Sequence, residues 1–337
     1  MFLVQRQVAV GGPAEVGLPA TLSVTDEGGG RGTDTLLGRC EPMRRWETGV
    51  PEGCPWVAVD GVDLAVDDRG AGQPVICLHA IAHGSADFDA FAARAAGRYR
   101  VLRIDWPGQG RSGEDGVAPA PARYAALLRG VVVHLGMEDP VIIGCSIGGA
   151  AALEYASRYP VRALVLANPG GLVTPSATVS RACRAMSRFF AAGRRGAWWF
   201  GLAYRAYYQL VLPWPQAWRQ RQRIVRAGYE NAALLAAAWS TFADPKQADQ
   251  RRAAIDLDVP VLFTWAMQDR INVFKASQAT IAQMKNARVV KFDGGHAAFL
   301  EQPRQFVVEF DRFIVGIGGA VQRAPSRPVA APLALAQ

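Results

Sequence analysis

The chain has 337 residues, half of them hydrophobic and a fifth charged, with 37 Lys and Arg against 29 Asp and Glu for a net charge of +8. That length and apolar content allow a large buried core and exclude a chain that is disordered or collagen-like as a whole. No apolar run reaches the roughly 18 residues of a membrane span, and the opening MFLVQRQVAVGG lacks the layout of a secretory signal. The five cysteines (Cys40, Cys54, Cys77, Cys145, Cys183) are scattered without a CxxC pair, which indicates neither a disulfide framework nor a zinc site and suits a reducing, cytoplasmic location.

Residues 1–54 are rich in Gly and small polar residues, include a GGG run at 28–30, and carry no sustained apolar period. They read as a flexible N-terminal extension, or as sequence upstream of a true start at Met43. A hairpin follows in WVAVDGVDLAVDD, where Asp60-Gly61 separates two alternating strands. Short β-branched runs then recur at 74–80, 100–106, 140–146, 161–169, 260–266 and 287–293, with helical stretches between them. This rhythm predicts an α/β fold: a mostly parallel, doubly wound sheet with an antiparallel first hairpin and helices on both faces. The core is expected over 55–170 and 255–317, with a loose Ala/Pro-rich tail over 318–337. Residues 171–254 show no strand signal, only helical runs carrying Arg and Trp, and are expected to form an inserted helical cap.

The strongest local motif is Gly144-Cys145-Ser146-Ile147-Gly148, set where a buried strand ends and a helix begins. A sharp strand-to-helix turn forces its central residue into a strained backbone conformation and needs small neighbours so that strand and helix can pass closely. The turn lifts the Ser146 hydroxyl to a helix N-terminus, which favours developing negative charge. A serine hydroxyl needs a base to take its proton, and the base needs an acid to orient it. His296, in FDGGHAAFLEQP after the last strand, and Asp269, in TWAMQDRINV after the preceding one, fall on the same carboxyl edge of the sheet. The chain order Ser146, Asp269, His296 is the one expected for this architecture. Cys145 is off-centre between the two glycines and reads as a packing residue.

These residues, with Asp105-Trp106-Pro107-Gly108-Gln109-Gly110-Arg111-Ser112 and the strand-end Leu78-His79, resemble the α/β-hydrolase fold superfamily over about residues 56–315. The resemblance implies a serine hydrolase with Ser146 as nucleophile, His296 as base, Asp269 as its orienting acid, and no cofactor or metal. It also implies an oxyanion hole from the backbone N–H groups of Ile81 and Ile147. Ala80 departs from the glycine usual after that histidine. His79 is implied to be structural, while His83 either faces the pocket as a substrate contact or lies on the solvent side of its loop.

The dense aromatics between Cys183 and Phe242 suggest an apolar pocket roof, with Trp198, Trp199 and Trp239 as candidate substrate contacts, or else the packing of cap helices. Residues 172–250 hold eleven Lys or Arg against Glu230, Asp244 and Asp249. That excess fits a solvated basic face, or weak contact with an anionic ligand or a membrane; no nucleic-acid motif accompanies it. The expected activity is hydrolysis of a carboxylic ester or thioester with a largely hydrophobic acyl or alcohol part. Carbon-carbon bond hydrolysis of ring-cleavage products on the same triad, or a hydrolase-like ligand receptor, are the alternatives.

Overall fold

A computed structural model of the chain describes residues 56–321, with side chains to 318. The expectations for residues 1–54 and for the end of the tail lie outside the described residues.

The chain opens with β1 (Trp56–Val59) and β2 (Val62–Arg69), paired antiparallel with Val59 opposite Val62. Asp60 and Gly61 both take positive φ, 49° and 79°, the twist that a two-residue hairpin demands. Six further strands follow: β3 (Pro74–Leu78), β4 (Arg100–Ile104), β5 (Val141–Cys145), β6 (Ala163–Ala167), β7 (Val261–Ala266) and β8 (Ala287–Phe292). The sheet order is β1-β2-β4-β3-β5-β6-β7-β8; β2 pairs antiparallel with β4, and every pair from β4 to β8 is parallel. All residues of β5, β6 and β7 are buried, which is why their sequences are nearly continuous apolar runs, broken only by Thr264, rather than alternating ones.

Helices cover both faces. α1 (Asp89–Ala95), α2 (Pro121–His134) and α3 (Ile147–Ala156) follow β3, β4 and β5. Between β6 and β7 the chain forms only helices: α4 (Ala177–Arg194), α5 (Phe200–Val211), α6 (Trp218–Arg226), α7 (Ala232–Phe242), α8 (Pro245–Ala248) and α9 (Arg251–Ile255). α10 (Phe274–Ile281) links β7 to β8, and α11 (Ala298–Glu301) and α12 (Pro303–Val321) complete the described chain. α12 thus continues into the stretch expected to be loose from 318.

The apolar core lies on both sides of the sheet. On one side Phe88 stacks on Phe299 at 4.2 Å between ring centroids, and Phe91 meets Phe306 and Phe310 edge-on at 5.8 and 5.1 Å. On the other, Trp106 stacks on Tyr124 at 4.2 Å beside Leu127, Leu128 and Ile142. Fixed aromatic geometry joins α1 to α12 on one side and α2 to the loop after β4 on the other. Phe91 is fully buried with aromatic partners from α12 alone in this contact. Phe91→Ala is therefore expected to destabilise the fold by about 3–5 kcal/mol, read as a lower denaturant midpoint at unchanged m-value.

Candidate active site

The loops after β5, β7 and β8 bring Ser146, Asn272 and His296 to one cavity, and the loop after β3 adds His83. Ser146 stands between β5 and α3 with φ 54° and ψ −118°, a conformation that a non-glycine residue adopts only when its surroundings hold it there. Its N–H donates to the Ala167 carbonyl at 3.3 Å, and its own carbonyl accepts from Ala150 and Gly170, both at 3.0 Å. Glycine is required on each side. A Cβ at Gly144 would lie 2.6 Å from the Gly148 oxygen, and one at Gly148 would lie 2.5 Å from the Leu78 oxygen. α3 can cross the ends of β5 and β3 only because neither atom exists.

Asp269 is almost fully buried, and its carboxylate accepts three N–H groups: Ile271 N at 2.7 Å, Asn168 Nδ2 at 2.7 Å and His296 Nδ1 at 2.8 Å. The carboxylate fixes the His296 tautomer, since an acceptor-only partner places the hydrogen on Nδ1 and turns Nε2 outward as the basic atom. His296 and Ser146 line the same cavity. Burial works against the charged imidazolium of His296, yet the negative charge and hydrogen bond of Asp269, followed by the charges of Glu301 and Asp87, prevail and raise its pKa above the ordinary histidine range.

Several supporting residues carry no signal that the sequence motifs singled out. Asn168 takes a positive φ of 44° at the end of β6; its Nδ2 donates to Asp269 at 2.7 Å and to the Ala266 carbonyl at 3.1 Å, and its Oδ1 accepts from Ala266 N at 3.0 Å. Glu301 is fully buried behind His296; its carboxylate accepts from Gly295 N at 2.7 Å and Trp214 N at 3.2 Å. Burial raises its pKa, opposed by those backbone N–H donors and by His296. The only hint of Glu301 in the sequence is an acid inside the apolar run AAFLEQP.

The loop after β3 is held in place from below. His79 Nδ1 donates to the Ala80 carbonyl at 2.7 Å while Nε2 accepts from Trp106 N at 2.9 Å, so the ring is neutral and bound on both sides; burial depresses its pKa. Gln109 Oε1 accepts from Ala82 N at 2.6 Å and stabilises the positive φ of 62° there. Asp105 accepts from Ser85 N at 2.6 Å and Arg111 N at 3.1 Å. Ala80 is buried and lines the cavity with Ile81, so the departure from glycine is accommodated; Ile147 is the buried first residue of α3.

His83 lies on the cavity side, its Nδ1 donating to Asp87 at 2.5 Å. The second oxygen of Asp87 accepts from Gln220 on α6, so the same buried carboxylate orients His83 and ties α6 to the loop. Cys145 is fully buried, and burial with the nearby charges of Asp87, Asp269 and Glu301 raises its pKa well above that of a free thiol, which keeps it protonated.

The cavity has a volume of about 430 Å³. Away from the strand ends its lining is mostly apolar, with Cys183 and Met186 from α4, Tyr207 from α5, and Leu235, Trp239 and Phe242 from α7, and Ser180 and Asp249 as polar exceptions. Of the three tryptophans expected to contact substrate, only Trp239 lines it. Trp198 is 90% exposed in the turn before α5, and Trp199, 39% exposed, packs against Phe189 at 5.9 Å; both lie outside the lining. Among the described residues, no group of three or more His, Cys, Asp or Glu is placed to hold a metal ion.

Residues 75–310 match the sequence profile of the alpha/beta hydrolase family. A non-heme haloperoxidase from Rhodococcus erythropolis is 27% identical over 256 residues, covering 70% of this chain and 90% of that protein. A 2-hydroxy-6-oxo-6-phenylhexa-2,4-dienoate hydrolase from Burkholderia cepacia is 34% identical over 118 residues, 32% of this chain and 41% of that one. Among solved structures, an esterase from Exiguobacterium antarcticum superposes with a TM-score of 0.67 at 20% identity, over 77% of this chain and 98% of the other.

Replacing Asp269 with Asn removes the charge that holds the His296 pKa up while leaving the burial that pushes it down. NMR titration of the imidazole is expected to show a value above the ordinary 6.5 in the wild type and below it in Asp269→Asn. An unchanged titration would remove the Asp269–His296 pair as its cause.

Proposed function

The chain belongs to the alpha/beta hydrolase family, and from that premise we propose that it is a serine hydrolase of carboxylic esters or thioesters with a largely hydrophobic acyl or alcohol part. The observation that carries this reading is the strained Ser146 turn opening onto the same cavity as a His296 imidazole whose Nδ1 is held by Asp269.

In this mechanism His296 Nε2 takes the Ser146 proton as Oγ attacks the carbonyl, and the imidazolium that forms is stabilised by Asp269. The N–H groups of Ile81 and Ile147 receive the oxyanion, aided by the N-terminus of α3. The proton returns to the leaving alcohol or thiol, and a water activated by His296 releases the acid. The apolar lining from α4, α5 and α7 roofs the acyl chain as a cap, with Trp239 beside it and His83 as the polar contact near the reacting carbonyl. Every step uses the chain's own side chains and backbone N–H groups and water, with no cofactor, and the buried free thiols of Cys77, Cys145 and Cys183 suit a cytoplasmic setting.

Fluorophosphonate labelling and a p-nitrophenyl ester series from acetate to palmitate test this directly. Labelling is expected at Ser146, with an optimum below the longest chains, and Ser146→Ala should lose turnover by roughly 10⁴-fold or more. An unlabelled wild type would sink the proposal. The base must be neutral to act, so kcat/KM is expected to fall as pH drops through a value above the ordinary histidine pKa and to level off above it. A profile flat across that range would exclude His296 as the base.

A second reading, carbon-carbon bond hydrolysis on the same residues, is favoured by the match to a hydroxy-oxo-dienoate hydrolase over residues that make up 32% of this chain. Bleaching of a dienoate chromophore without turnover of simple esters would select it.

A further inference from the structure

Trp198 and Leu202 are 90% and 78% exposed, the first in the turn between α4 and α5 and the second one helical turn further on. Large apolar side chains projecting that far into water call for a partner. Around them the surface is cationic. Arg194 and Arg195 end α4, Arg205 follows on the outer side of α5, and Arg219 and Arg226 lie on α6. Among the described residues none of these five arginines meets a carboxylate, whereas Arg98, Arg100 and Arg312 are paired with Asp311, Asp68 and Glu309.

The two helices form one face. Tyr229, just past α6 and 45% exposed, accepts a hydrogen bond from Gly201 N at 3.3 Å and donates to the Ala197 carbonyl at 3.0 Å, seating the end of α6 against the start of α5. Along α6 a surface recess is lined by Trp218, Arg219, Arg223 and Arg226, with Glu230 as its one acid. Trp218 is itself 54% exposed.

We propose that this face docks the protein onto a bilayer surface rich in anionic phospholipid, with Trp198 and Leu202 entering the interfacial layer and the unpaired arginines of α4, α5 and α6 meeting headgroup phosphates. Charge complementarity selects this occupant. Unneutralised guanidinium groups around projecting indole and aliphatic side chains match a layer that is anionic at the surface and apolar just beneath. The contact is peripheral, since no helix among the described residues is long and apolar enough to cross a membrane. α5 carries both surfaces: Tyr207 and Tyr208 line the cavity, while Leu202 and Arg205 face outward. Docking does not depend on the hydrolase reading and is tested without any substrate.

The experiment is flotation of the full chain with vesicles of phosphatidylcholine mixed with phosphatidylglycerol, and with phosphatidylcholine alone, at low and high salt. Binding to the anionic vesicles is expected to exceed binding to the neutral ones by about 10-fold or more and to weaken in high salt. Trp198→Ser with Leu202→Ser, and separately Arg195→Glu with Arg205→Glu, should each lower the partition coefficient by about 10-fold. Unchanged thermal melting in both variants controls for the fold. Equal binding to neutral vesicles, no binding to anionic ones, or anionic binding that ignores the Trp198/Leu202 change would overturn the proposal. Capture on polyglutamate with indifference to vesicles would reassign the face to an acidic protein partner and likewise overturn it.

Discussion

Where α3 crosses the ends of β5 and β3 there is no room for a single methyl group, and the site is arranged around that crossing. Side chains at 144 or 148 would collide with backbone oxygens, which cannot move aside as a flexible side chain could. The close approach holds Ser146 in a left-handed conformation and sets its side chain at the first turn of α3. A parallel sheet supplies the rest, because each strand ends on the same edge and each following loop can deliver one residue there.

The crossing positions Ser146, but the other polar residues need a second device, the carboxylate of Asp269. One of its three N–H donors, Ile271, lies in its own loop after β7, while Asn168 and His296 come from the loops after β6 and β8, so one buried anion ties two distant loops to its own. Behind it Glu301 repeats the arrangement, binding the backbone at Gly295 and at Trp214. Such charges are tolerable only because each is surrounded by donors; removing one donor leaves the remaining lone pairs unsatisfied in a medium that solvates them poorly.

Much of this was legible in the sequence, and what was not has a physical reason. The central strands announced themselves because burial on both faces favours continuous apolar runs, and β1 and β2 because one-sided burial leaves an alternating pattern. Ser146, Asp269 and His296 were singled out from their positions just past β5, β7 and β8, and the structure bonds Asp269 to His296 and sets Ser146 and His296 on one cavity. Asn168, Asp87 and Glu301 could not be singled out that way, since their importance lies in partners 101, 133 and 87 residues away and nothing local encodes those contacts. The tryptophans failed differently. Composition revealed a dense aromatic segment but not the phase of its helices, and Trp198 falls in the turn just before α5, where helical periodicity has no hold. Trp239, within α7, has its direction set by that helix and faces the cavity.

The His296 loop is anchored to the helical segment as well as to the sheet. The His296 N–H donates to the Val211 carbonyl at the last residue of α5, and a Cβ on Gly295 would lie 2.2 Å from that same oxygen. The backbone that carries the imidazole is therefore tied to the last residue of α5, the helix whose Tyr207 and Tyr208 line the cavity. The placement of α5 and the placement of the imidazole are thus one packing problem, and glycine at 295 is what lets helix and loop lie that close.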